Sequence, residues 1–158
     1  MTIAIDRVSE ATPELRALVA ELNAVLGTVY EPHQRHGLAI ERLFDPHMRF
    51  FVARLDGEAA GCGGVALFDG YAEVKRMYTR PGSRGRGVAK ALLLRLEAEA
   101  CAAHEPVLRL ETGIRQTEAI GLYERMGFRP CAAFGDYAAM PAGAIELSAF
   151  YEKPLAPV

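Results

Sequence analysis

The feature that most constrains the fold is a hairpin signal. In "MRFFVARLDGEAAGCGGVALF" (Met48 to Phe68) two apolar runs flank Asp56-Gly57, and Asp-Gly supplies the two positive-φ residues that a tight turn between twisted strands requires. The chain therefore contains an antiparallel strand pair around which everything else must be arranged. The glycines at 61, 63 and 64 weaken the second strand and predict a bulge, or the close approach of another group to the backbone.

The other elements follow from period and punctuation. Thr2 to Val8 alternates as a short strand. Leu15, Leu18, Val19, Leu22, Val25 and Leu26 form a helical stripe that starts at Thr12 or Pro13. "GTVYEPHQRHG" (Gly27 to Gly37) is a bent segment, and a shorter helix is expected over Leu38 to Leu43. A third strand runs from Tyr71 to Thr79 and leads into a helix from about Gly87 to Ala102, which buries Val88, Leu92, Leu93, Leu96 and Ala100. "VLRLE" from Val107 is a strand, Gln116 to Met126 a helix closed by Gly127. From Phe128 at least one more strand, a loop with Pro141 and Gly143, and a final strand near Ile145 to Tyr151 complete the chain. That order gives an α/β fold, a mixed sheet covered by helices. Its 158 residues suit one domain.

Composition narrows the partners. A net charge of -2, with positive charge confined to short stretches, argues against a nucleic-acid partner. No apolar run approaches the roughly 20 residues that span a bilayer, and Asp6 and Glu10 stand where a signal peptide needs a basic, then apolar start. No membrane association is expected. Cys62, Cys101 and Cys131 are scattered and odd in number, which suggests a reducing, cytoplasmic setting without a disulfide framework. His33 and His36 lack a third ligand nearby in sequence, so no metal is expected.

One stretch carries chemistry. In "RPGSRGRGVAKALLLRLEAEA" (Arg80 to Ala100) glycines and arginines crowd the start of a helix, where unpaired N–H groups and a partial positive charge favour a phosphate. Gly85 and Gly87 clear the backbone or supply unusual dihedrals. Arg84 and Arg86 add charge-assisted donors. A Walker loop fits less well because Gly87 is followed by Val88-Ala89-Lys90 rather than lysine and a hydroxyl residue, as does a dinucleotide fingerprint, which lacks its third glycine in register; a basic turn that only caps the helix is the alternative to a phosphate site.

"KRMYTRPGSRGRGVAKALLLRLE" resembles the acyl-CoA signature of the GCN5-related N-acetyltransferase (GNAT) superfamily, its register falling on Arg84, Gly87 and Ala89. "LETGIRQTEAIGLYERMGF" (Leu110 to Phe128) resembles the second signature of the same family, and the element order matches over nearly the whole chain. The resemblance implies a mixed, mostly antiparallel central sheet with a splayed parallel strand pair, flanked by helices. It implies an N-acetyltransferase using acetyl-CoA. The cofactor arm would lie along Met77, Tyr78 and Thr79, the pyrophosphate would meet Arg84, Gly85, Arg86, Gly87, Val88 and Ala89, and Gln116 would touch the arm. Tyr123 would protonate the departing thiolate, and Glu73, with Glu111 as rival, would act as general base. Transfer would be direct, through a tetrahedral intermediate, with no acylated residue. Cys62, in "GCGG", reads as core packing rather than a nucleophile.

The acceptor is expected to be a primary amine on a small molecule, and the resemblance implies that it is bound between Tyr30, Glu31, Arg35 and His36 on one side and Asp136 and Tyr137 on the other. Arg35 would hold an acceptor carboxylate, and Glu31 or Asp136 an ammonium group. A protein or peptide acceptor, and a non-catalytic acyl-CoA sensor, remain open. A homodimer is expected from the family, with "AIELSAFYEKPL" supplying a strand edge.

Overall fold

The computed structural model describes residues 1–157. One sheet contains β1 (Ile3–Val8), β2 (Met48–Leu55), β3 (Glu58–Leu67), β4 (Ala72–Thr79), β5 (Val107–Gly113), β6 (Arg129–Pro130) and β7 (Ser148–Pro154). The strand order is β1-β2-β3-β4-β5-β7-β6. All neighbours are antiparallel except β4 and β5, so the expected mixed, mostly antiparallel sheet with one parallel pair is what forms. The helices are α1 (Pro13–Gly27), α2 (Val88–Ala102), α3 (Thr117–Arg125) and the short α4 (Ala142–Ile145).

The hairpin forms where the sequence places it. Asp56 and Gly57 both take positive φ, 51° and 87°, and the turn is tied to β1 because Thr2 N donates to Asp56 Oδ1 and Asp56 N to Thr2 O, each at 2.8 Å. Thr12 caps α1 by accepting from Leu15 N at 3.2 Å, with Pro13 as the first helical residue. Alternation along β2 then divides the core. Phe50 and Val52 pack with Leu15, Leu18 and Leu22 of α1, whereas Phe51 and Ala53 pack with Leu92, Leu93 and Leu96 of α2 on the other face.

The alternation breaks in β4, and this break positions the site. Cys62 pairs with Tyr78 and Gly64 with Lys75, so Gly63 alone opposes Arg76 and Met77. Arg76 absorbs the extra residue at φ 55°, a left-handed conformation that costs a non-glycine residue about 1–2 kcal/mol. Side-chain parity inverts at the bulge. Ala72 and Val74 belong to the α2 core, while Tyr78 belongs to the α1 core and its hydroxyl donates to Glu21 of α1 at 3.1 Å. Arg80 joins the same carboxylate at 2.9 Å, which ties the end of β4 to α1. The bulge expected from Gly61, Gly63 and Gly64 is therefore shared with β4.

Four local expectations are corrected. Leu38 to Leu43 is not a helix but a single 3-10 turn at Ile40–Arg42, too short to bury a face. The loop with Pro141 and Gly143 contains α4. The last strand starts at Ser148 rather than near Ile145. The C-terminal edge is also shorter than the whole stretch, because β7 pairs with β5 from Ser148 to Pro154 and the two-residue β6 covers its other side at Tyr151 and Glu152.

A Cβ at Gly61 would stand 2.5 Å from Tyr78 O, a backbone atom that cannot swing aside. Gly61→Ala is expected to lower stability by about 1–3 kcal/mol, read as a lower urea midpoint at unchanged slope. Gly143→Ala, which meets nothing within 4 Å, should show no loss.

Candidate active site

β4 and β5 pair only at Ala72↔Leu108 and Glu73↔Arg109. Beyond Glu73 they diverge, although β4 continues to Thr79 and β5 to Gly113. The facing backbone polar groups of a split sheet need other partners. Two hollows meet at this split. A groove of about 680 Å³ runs from Met77 and Thr79 past Gly85 and Gly87 to Gln116 and Tyr123. A smaller cavity of about 130 Å³ is lined by Arg35, His36, Glu73, Arg76, Glu111 and Tyr137, among others. Both are bordered by Leu22, Met77, Gln116, Ala119 and Tyr123, which marks where they join.

The groove ends on the glycine and arginine turn. Gly85 and Gly87 have φ of 75° and 86°. A Cβ at Gly85 would meet nothing within 4 Å, and one at Gly87 only Ile3 Cδ1 at 3.8 Å, so the backbone conformation rather than crowding requires glycine here. The first N–H past the turn with a backbone partner is Ala91, which donates to Gly87 O at 3.0 Å. The preceding N–H groups of Gly85 to Lys90 are free at the N-terminus of α2, a donor set that fits a pyrophosphate. Arg84 contributes less than its position suggests: its N–H donates to Pro81 O at 3.3 Å and its Nε to Thr79 O at 3.2 Å. Arg86 is exposed and does not border the groove.

The inner cavity holds two carboxylates in different states of engagement. Glu73 is 4% exposed. Its Oε2 accepts from Tyr137 Oη at 2.7 Å and pairs with Lys75 Nζ at 2.9 Å, while Lys75 also donates to Tyr137 Oη at 3.0 Å. Glu111 has one partner, Ser148 Oγ, at 2.6 Å. Burial raises its pKa above 4.5, opposed by that hydrogen bond and by the nearby His36 and Lys75. Burial, helped by the Glu111 charge, pushes the Tyr123 phenol up to about 12. Its ring stands edge-on to Phe128 at 5.9 Å. Cys62 is buried and its thiol is pushed up to about 12, chiefly by burial, so it is no thiolate nucleophile at neutral pH.

The proposed acceptor walls sort unevenly. His36 lines the cavity and its Nε2 lies 2.7 Å from Ala144 O, with its ring edge-on to Tyr137 at 5.7 Å. Tyr30 lines the cavity as well, but its hydroxyl accepts from Arg115 N at 2.9 Å, and its ring leaves no room for a side chain at Gly113. It positions the start of α3. Glu31 and Asp136 are exposed and border neither hollow. Tyr78 contributes backbone only, since its side chain turns toward α1. Lys75, Arg76 and Ser148 were not singled out from the sequence. The signal available for Arg76 was a charge in the register of Ala72, Val74 and Tyr78.

A sheet split at a parallel pair, with a phosphate turn at one end and a titratable cavity at the other, is the arrangement that the resemblance to acyl-CoA-dependent acyltransferases implies. The acetyltransferase (GNAT) family model matches residues 14–128, and the chain belongs to this family. A protein named IAA acetyltransferase from Azospirillum brasilense is 41% identical over 155 residues, covering 97% of this chain and 98% of its own. A solved structure from Klebsiella pneumoniae, assigned to the acyl-CoA N-acyltransferases, is 36% identical with a TM-score of 0.79 over 98% and 99% of the two chains. The PaiA N-acetyltransferase of Thermoplasma acidophilum, solved with coenzyme A, is 20% identical and shares the fold at a TM-score of 0.75, covering 98% and 99%. The chain is an acetyl-CoA-dependent acetyltransferase, with an amine as the acceptor class. Among the described residues no helix is long and apolar enough to cross a membrane.

Because Gly87 holds φ 86°, Gly87→Ala is expected to turn the N–H groups away from the groove. Calorimetric titration should show coenzyme A affinity falling at least about fivefold, as charge-assisted bonds of roughly 1.5–3 kcal/mol are disturbed, while circular dichroism stays unchanged.

Proposed function

We propose that this acetyltransferase acetylates a primary amine on a small molecule held in the inner cavity, with Glu111 as general base and Tyr123 as general acid. The observation that carries this reading is the shared border of the two hollows. Tyr123 stands where the donor groove and the cavity holding Glu111 meet. Two joined hollows lined by residues from Leu22 of α1 to Tyr137 support a single functional domain across the chain.

When bound, acetyl-CoA supplies an activated thioester and a thiolate leaving group. The free N–H groups of Gly85 to Lys90 would hold its pyrophosphate, and the diverging backbone of Met77 to Thr79 its amide-rich arm. An amine arrives protonated, so a base must take a proton before attack. Glu111 suits this better than Glu73, the first choice from sequence: Glu73 Oε2 already faces two donors, one of them the Lys75 cation, whereas Glu111 has one partner and a raised pKa. Tyr123 keeps its proton throughout the neutral range, with a pKa of about 12, and can give it to the sulfur side as charge develops there. No acylated residue is needed. The cavity's volume of about 130 Å³, room for about four waters, suits a small acceptor.

A thiol-release screen with acetyl-CoA against amines and peptides tests the reading. Turnover with small amines is expected; turnover confined to peptides, or coenzyme A binding without any turnover, would overturn it. Tyr123→Phe should lower kcat by about 10²-fold while acetyl-CoA affinity stays within about twofold, since the hydroxyl acts in the transition state.

Glu111→Gln should abolish turnover and yet stabilise the fold above neutral pH. Raising a carboxyl pKa on folding gives stability that is present below the ordinary 4.5 and lost as pH rises through the folded value, because the buried carboxylate must then ionise. Glutamine never ionises. Thermal midpoints of the two proteins should converge in acid and separate, with the variant higher, in mild alkali.

A further inference from the structure

We propose that the acceptor amine carries a carboxylate, and that Arg35 and Arg76 grip that carboxylate in the inner cavity. This rests on the amine-acetylation reading and names its substrate class as small amino acids and close analogues.

Among the described residues, three buried side-chain polar atoms lack a hydrogen-bond partner, and two of them are Arg35 Nε and Arg76 Nε. Both residues line the inner cavity. Neither takes part in any ion pair among the described residues. The two guanidinium groups are near enough that the charge of Arg35 adds to burial in lowering the Arg76 pKa, and arginine still keeps its proton. Two like charges with orphaned donors in one hollow are unfavourable unless an anion enters between them.

Arg76 is held in place on one side. Its Nη2 donates to Asn23 Oδ1 of α1, and its guanidinium occupies the space a side chain at Gly37 would need, while its Nε is left without a partner. The bulge at φ 55° turns the side chain out of the regular strand pattern into this place. Arg35 follows from the loop preceding Gly37 and makes no side-chain hydrogen bond of its own. Planar guanidinium donors match a planar carboxylate. The cavity's own carboxylates pair with neither arginine: Glu73 is held by Lys75 and Tyr137, and Glu111 has only the Ser148 hydrogen bond. An amine and a carboxylate on one small molecule would thus address Glu111 and the arginine pair in the same hollow.

The test compares the proteinogenic α-amino acids, β-alanine and γ-aminobutyrate with their carboxamides and decarboxylated amines at saturating acetyl-CoA. The best carboxylate is expected to exceed both neutral partners in kcat/KM by at least about tenfold. Arg35→Gln should collapse that ratio to within about threefold, mainly through KM, whereas Arg42→Gln, whose exposed arginine pairs with Asp45 outside the cavity, should keep it. Equal or better turnover of neutral amines, or of phosphoethanolamine as a phosphate-bearing amine, would overturn the carboxylate site and leave the acetylation reading standing. If no amine turns over, calorimetric titration of the coenzyme A complex with the same amino acids separates the two. Binding weakened at least about tenfold by Arg35→Gln keeps the carboxylate site while acetylation fails, and absence of binding overturns the site too.

Discussion

The structure depends on the failure of β4 and β5 to stay paired. Two residue pairs hold them, Ala72 with Leu108 and Glu73 with Arg109, after which each strand leaves unmatched backbone groups facing the other. Such groups are costly unless something else satisfies them. β4 can diverge without unravelling because its other edge stays bonded to β3 as far as Gly61 and Thr79, and β5 because β7 follows it to Gly113. The gap is thus held open by the sheet on either side.

The bulge at Arg76 gives that gap two chemically different ends. Upstream of it, Glu73 and Lys75 face the small cavity. Downstream, Tyr78 turns to the α1 core and anchors on Glu21, leaving the Met77 to Thr79 backbone along the larger groove. A regular strand would keep Val74, Arg76 and Tyr78 on one face, and neither the anchor nor the arginine's place in the cavity would exist. The close contact of β3 at Gly61, where any Cβ would strike Tyr78 O, is the counterpart of the same distortion.

Electrostatics then divides labour within a small volume. Glu73, Lys75 and Tyr137 form a closed, mutually satisfied set, which can hold shape but has little spare capacity. Glu111 and Tyr123 both have pKa values raised by burial, which suits a group taking a proton and a group keeping one near the joint of the hollows. Arg35 and Arg76 are the unsatisfied members. Filled and unfilled hydrogen-bonding capacity thus divides the charged groups of the cavity in two.

Much of this was legible in the chain. The Asp-Gly hairpin, the stripes of α1 and α2, the stop at Gly127 and the phosphate turn are local: period, turn chemistry and helix-end donors act over a few residues and need no tertiary partner. The turn at Gly85 and Gly87 was readable for that reason, whereas Met77, Thr79 and Gln116, which also border the groove, came only from the family resemblance. The inner cavity was not readable. Glu31 and Asp136 point elsewhere, Tyr30 spends its hydroxyl on Arg115, and Arg76 gains its role only because a bulge reverses parity and a loop from the other end of α1 brings Arg35 beside it. The sequence by itself determined the hairpin, the long helices and a glycine turn whose free N–H groups suit a phosphate. Only the tertiary structure decided which side chains share a cavity, because burial, charge neighbours and missing partners are properties of residues far apart in the chain and cannot be read from any one segment.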